Sequence, residues 1–195
     1  PALAEAHPKI EVSVLAEQRV RGPEEEGCDI TIRMGAARKD ERAEPLMDDA
    51  LTPVASPRLL EHKRSTKGGR AACNALLRNL PLLHDRDPNA GWDRWSAVYG
   101  PKDLDLSHGP RFASSDLLLR AAEQGQGIAL ARLQLAQESL LSGALVRLSE
   151  NAVSLKDAYH LIGLSDRRGR SAGSAVWDWL LKEAGPAGFG PSQTA

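Results

Sequence analysis

The chain has 195 residues, 42% of them hydrophobic, and a formal net charge of -1 at pH 7. That length can bury one good core or two small lobes, and the near-neutral charge excludes whole-chain electrostatic attraction to nucleic acid or an anionic membrane. Its two cysteines, Cys28 and Cys73, lie far apart and suit a reducing compartment better than a disulfide scaffold, and no apolar run approaches membrane-spanning length.

Residues 1–7 read as the tail of a helix. Ile10, Val12 and Val14 then alternate with Glu11 and Ser13, which predicts a strand with one apolar face. Gly22-Pro23 and Glu24 to Glu26 break any amphipathic helix, so 19–28 is expected to be a loop. Asp29 to Gly35 reads as the next strand, with Ile30 and Ile32 on one face and Thr31 and Arg33 on the other. Arg33 is a good partner for an anion, since guanidinium offers a planar fork to a carboxylate; a solvated or salt-bridged arginine is the plainer alternative. The charged stretch 36–49 is expected to loop over the surface before Leu51 to Ser56 forms a strand. Residues 61–70, EHKRSTKGGR, are basic and glycine-containing but lack phosphate-loop spacing, and read as a solvated loop. Cys73 to Leu80 suits a short helix ended by Pro81, and Leu82 to Asp85 a strand. Trp92 and Trp95 lie one helical turn apart. Such a pair serves packing, and one indole can also cover a ligand.

The densest local signal is Phe112 to Leu130, FASSDLLLRAAEQGQGIAL. Ser115 with Asp116 opens a helix, because a serine oxygen accepts from the unpaired first-turn amides and an early carboxylate suits the positive end. Leu118, Ala121 and Ala122 share one face, Gly125 and Gly127 stop the helix, and Ile128 to Leu130 reads as a strand buried on both faces. Ser114, Ser115 and the free amides can hold a carboxylate, or the serines can simply cap the helix. A further helix over 132–141, a turn at Ser142-Gly143, strands over 144–148 and 158–164, and a last helix burying Val176, Trp179 and Leu180 complete the alternation. The tail after Ala184 is rich in glycine and proline and is expected to be flexible. Alternating strands and helices argue for α/β lobes with largely parallel strands.

Catalytic signatures are weak. His84 and Asp85 are adjacent potential metal ligands, but the other histidines are scattered singly, and neither a G-x-S-x-G elbow nor a phosphate loop occurs.

An ordered series of phrases carries a family resemblance: AHPKIEV from Ala6, DITIRMG from Asp29, PVASPRLL from Pro53, LLHD from Leu82 with Trp92 and Trp95, FASS from Phe112 with AAEQGQGIAL from Ala121, GALVRL from Gly143, AYHL from Ala158 and AVWDWL from Ala175. The series spans almost the whole chain. It is similar to the regulatory domain of LysR-type transcriptional regulators, in the branch that includes glycine-cleavage and β-lactamase regulators.

The resemblance implies a two-lobed α/β fold of the periplasmic binding protein-like type 2, with lobe I formed by 1–55 and 163–195 and lobe II by 56–162. It implies that an earlier strand and most of a helix of lobe I precede Pro1, as does the winged helix-turn-helix that meets operator DNA. The expected ligand is a small, anionic effector in a cleft between lobes, approached by Arg33, Ser56, Asp85, Trp92, Ser114, Ser115 and Tyr159. No metal, no cofactor, no membrane and no catalysis are implied. The expected setting is a cytoplasmic homodimer or tetramer, although 19–28 departs from the family's dimer-contact helix. A solute-binding protein of a transport system is the alternative.

Overall fold

The computed structural model describes residues 2–16, 28–35, 38, 42–61, 69–163 and 172–184. It forms two compact units, one of Pro1–Asp48 with Lys156–Ala195 and the other of Asp49–Leu155. The chain passes from one unit to the other within two long strands, Arg42–Ala55 and Val153–Gly163.

The N-terminal helix α1 is Ala2–Ala6. Residues 10–16 form no strand, and Val12, Val14 and Leu15 are 52%, 85% and 68% exposed. An alternating pattern becomes a strand only where a neighbouring backbone supplies hydrogen bonds, and none of the described strands pairs with this stretch. The predicted loop over 19–28 lies outside the described residues except for Cys28. Strand β1 is Ile30–Met34, and β2 is a 14-residue strand, Arg42–Ala55. The charged residues expected to loop therefore begin a strand, because pairing satisfies the backbone while polar side chains face outward: Arg42, Glu44 and Pro45 are exposed and Leu46 is buried.

A short helix α2, Pro57–Glu61, follows. Helix α3, Gly69–Asn79, starts four residues earlier than expected and buries Cys73, Leu76 and Leu77. Strand β3 is Leu82–Asp85; a 3-10 turn, Pro88–Ala90, leads to α4, Trp92–Tyr99. After the two-residue strand β4, Arg111–Phe112, helix α5, Ser115–Glu123, and strand β5, Ile128–Arg132, match the predicted helix, stop and buried strand. Gly125 ends the helix at φ +76°, a left-handed geometry that glycine adopts without penalty.

Helix α6 is Leu133–Leu141. Strands β6, Val146–Arg147, and β7, Val153–Gly163, precede the last helix α7, Ala172–Ala184. In α7 the buried residue is Trp177, not the predicted Val176, Trp179 and Leu180. The reason is tertiary: a Cβ on Gly163 would stand 2.7 Å from the Trp177 ring, so glycine there lets the indole lie against β7. The Arg42 guanidinium sits 4.6 Å from the centre of the same ring.

In the first unit the strand order is β1-β7-β2, with β1 and β7 antiparallel. In the second it is β2-β5-β3-β4, with β6 also pairing β2. β3 pairs in parallel with β4 and β5, whereas β2 runs antiparallel to β5 and β6. The sheet is mixed, where largely parallel strands were expected.

Strand alternation sorts the second unit into two layers. Leu82, Ile128 and Leu130 face Cys73, Leu76, Leu77, Trp92 and Trp95. Leu83, Ala129 and Ala131 face Leu118, Ala121, Ala122 and Ala136. Helices α3 and α4 thus cover one side and α5 and α6 the other, with alanines allowing close approach on the latter. No helix among the described residues is long and apolar enough to cross a membrane.

Cys73, 3% exposed, sits deep in the first layer, and burial pushes its thiol from 9.0 up to about 11. Because the raised value belongs to the folded state, its contribution to stability is complete below pH 9 and is lost as pH rises toward 11. The native chain at pH 8 is expected to leave Cys73 unmodified by iodoacetamide over hours and to alkylate it within minutes in urea, read by peptide mass spectrometry. Rapid native alkylation would contradict the burial.

Candidate functional site

The last residues of the three parallel strands, Asp85, Phe112 and Arg132, lie at one edge of the sheet. Asp85 pairs in register with Phe112, and Leu83 with Ala129, so Asp85 stands level with the end of β5. The carboxyl edge of parallel strands is where α/β sheets place ligands, since the following loops and helix starts open there.

Strand alternation sends Leu83 and Asp85 to the α5 side. There the Ser115 hydroxyl donates to Asp85 Oδ2 at 2.5 Å, and the Asp87 backbone N–H donates to Oδ1 at 2.9 Å. Ser115 is 9% exposed and Asp85 is partly buried. The cap of α5 is Ser114, one residue before the predicted position, whose oxygen accepts from Leu117 N–H at 3.5 Å. This shift gives the two serines different work. Ser114 closes the helix start, while Ser115 turns inward to the carboxylate. The α5 first-turn amides have no acceptor within the helix and point the same way as its positive end.

On the opposite face of β5, Arg132 is 3% exposed and donates through Nη2 to Asp87 Oδ2 at 2.5 Å. Its Nε is buried without a hydrogen-bond partner. Asp87 also accepts from Asn89 N–H at 2.8 Å, capping the 3-10 turn. One carboxylate thus joins the end of β5 to the turn that delivers Trp92. Asp49, 1% exposed near the start of the second unit, accepts from Gln134 N–H at 3.1 Å and so caps α6 from a distant strand.

The predicted residues are distributed unevenly. Asp85, Ser114 and Ser115 come together at the carboxyl edge. Trp92 is 2% exposed, donates its indole N–H to Leu83 O at 2.8 Å and meets Trp95 edge-on at 6.4 Å, the surroundings of a core residue. Ser56 lies elsewhere: Leu51 pairs with Arg132 and Val54 with Ala129, so β2 runs away from the carboxyl edge and ends at the opposite one. Arg33 and Tyr159 belong to the first unit. Both are buried, at 7% and 8% exposure, but Arg33 pairs with His160 and Met34 with Tyr159, which puts the guanidinium and the phenol on opposite faces of the β1–β7 ladder.

Sequence reasoning missed Arg132, Asp87 and Asp49. The Asp-Pro step at 87–88 is a recognisable turn start, whereas Arg132 reads as an ordinary helix-start residue and Asp49 as part of a charged loop until the strands are paired.

One serine, histidine and aspartate trio occurs on the exposed segment before β4. The Ser107 hydroxyl and backbone N–H, with the His108 ring, hold the Asp105 carboxyl at about 2. His108 Nδ1 faces both Ser107 Oγ and Asp105 Oδ2, at 2.7 and 2.9 Å. A relay needs the two partners on different ring nitrogens, so this is a surface turn. Among the described residues no three histidine, cysteine or carboxylate side chains are placed to hold a metal.

The family description "LysR substrate binding domain" matches residues 1–185. The chain is 29% identical over 180 residues to the glycine cleavage system transcriptional activator of Escherichia coli K12, covering 92% of this chain and 57% of that protein. It is 28% identical over 184 residues to the HTH-type transcriptional activator AmpR of Rhodobacter capsulatus, covering 94% and 60%. The chain therefore spans a little over half the length of these curated relatives. Among solved structures, the effector domain of the regulator AmpR of Pseudomonas aeruginosa superposes with a TM-score of 0.76 at 28% identity, covering 94% of this chain and 85% of that one.

Proposed function

This chain belongs to the LysR substrate binding domain family, and we propose that the carboxyl edge of β3 and β5, with the start of α5, receives a small effector whose anionic group meets Ser114 and the α5 first-turn amides. The observation that carries this reading is the divided role of Ser114 and Ser115 at a helix start. Ser114 accepts from Leu117 N–H, which leaves its own hydroxyl proton for a ligand. Binding there alters the relative stability of the arrangements of a larger regulator, and linkage carries that difference to DNA binding. Operator contact belongs to a helix-turn-helix outside this chain, and the regulator acts as a cytoplasmic homo-oligomer. The named relatives are transcriptional activators, which favours sensing over solute capture. Catalysis has no part in this reading.

A thermal-shift and calorimetric titration of the 195-residue chain with small carboxylates and amino acids tests it. At least one compound is expected to bind, and Ser114→Ala to weaken it tenfold or more. The lost cap should lower stability by only about 1 kcal/mol. Unchanged affinity in Ser114→Ala would overturn the site.

A further inference from the structure

Resting on that effector-site reading, we propose that Asp85 selects an effector carrying a protonated amine, so that the ligand is a zwitterion of the free α-amino acid class and not a plain carboxylate. Among the described residues, Asp85 accepts from two neutral donors, the Asp87 backbone N–H and the Ser115 hydroxyl. Among the described residues no cation pairs with it. An ionised carboxylate has roughly four lone-pair positions, so about half of its accepting capacity is open. Asp87, two residues on, provides the contrast, because buried Arg132 already neutralises it. The loop after β3 therefore holds one compensated carboxylate and one uncompensated one. A partly buried carboxylate gains most from a donor that also carries positive charge.

The direction of the Ser115 hydrogen bond sharpens the choice. A carboxylate can only accept, so the Ser115 proton is committed to Asp85, and the serine oxygen toward a ligand can only accept as well. A second carboxylate facing this pair would meet acceptors alone. An ammonium, with three N–H donors, would satisfy both. Ser114 has the opposite character, with its oxygen engaged by Leu117 N–H and its proton free. Acceptors and donors thus stand on adjacent residues, which suits a ligand bearing its amine and carboxylate on one carbon.

Each of the 20 common amino acids is to be titrated into the 195-residue chain beside its N-acetyl derivative and the corresponding acid without the amine. At least one free amino acid is expected to bind, with its N-acetyl derivative at least tenfold weaker. Asp85→Asn, which keeps one oxygen to accept from the Asp87 amide and turns its NH2 to donate to the Ser115 oxygen, is expected to weaken that amino acid tenfold or more while changing the amine-free acid less than twofold. Circular dichroism reports whether this variant folds; if it does not, the wild-type pair of free and acetylated compounds decides alone. Equal binding of the acetylated or amine-free compounds would overturn the amine inference, and loss of that binding in Ser114→Ala would leave the effector site standing. Binding by none of the compounds would overturn both.

Discussion

Replacing Arg132 with methionine is expected to lower the stability of the second unit by about 2 to 4 kcal/mol, because it leaves a partly buried carboxylate without its cation. Arg132 is 3% exposed and Asp87 21%, so water relieves the stranded charge only in part. Two effects set the range. Methionine fills similar volume and removes the buried Nε that has no partner, a group that costs about 1 to 3 kcal/mol when unsatisfied. Against this stands the full loss of the ion pair that anchors the turn leading to Trp92. The double variant Arg132→Met with Asp87→Asn removes both charges while keeping an oxygen to cap Asn89, and should recover most of the loss. Urea unfolding of the four proteins of this cycle measures the coupling. A coupling near the few tenths of a kcal/mol of an exposed pair would mean that the bridge holds nothing in place.

The second large effect is expected at Gly127. A Cβ there would lie 2.4 Å from Pro81 O and 2.9 Å from Leu83 Cδ2. The Pro81 carbonyl is fixed because it accepts from Ile128 N–H at 2.8 Å, the bond that aligns the start of β5 beside β3. The Pro81 backbone cannot yield as a flexible side chain would, and the Leu83 side chain is fully buried and has little room to move. Gly127→Val is therefore expected to cost about 3 kcal/mol or more, lowering the melting temperature by roughly 6 to 12 °C for a chain of this size. Gly143 provides the control. Its φ is +75° but a Cβ there would meet nothing within 4 Å, so Gly143→Ala should cost only about 1 kcal/mol from backbone strain. Similar losses at both positions would show that conformational preference, not the close approach of β5 to the end of α3, governs Gly127.

The stretch from Ser114 to Leu130 was readable because its signals are local. A capping serine, apolar residues at helical spacing, left-handed glycine and a short apolar run each act within a few residues, and α5 and β5 appear where they predict. The same locality explains Leu82 to Asp85. Residues 10–16 and 42–49 failed in opposite directions for one reason. A strand exists only with a partner, so an apolar alternation stays irregular while a charged segment beside β7 becomes the first half of β2.

By itself the sequence determined the α/β character, the helix start at the serines, the family and the candidacy of Asp85 and Ser115. Tertiary structure alone decided which candidates meet. Pairing of Leu51 with Arg132 sends Ser56 to the far edge, pairing of Met34 with Tyr159 turns the phenol away from Arg33, and burial makes Trp92 core. It also decided that Ser114 rather than Ser115 caps α5, which frees one hydroxyl for a carboxylate 30 residues away. Register and long-range hydrogen bonds join residues distant in the chain, and no local pattern of side chains encodes which pairs they will be.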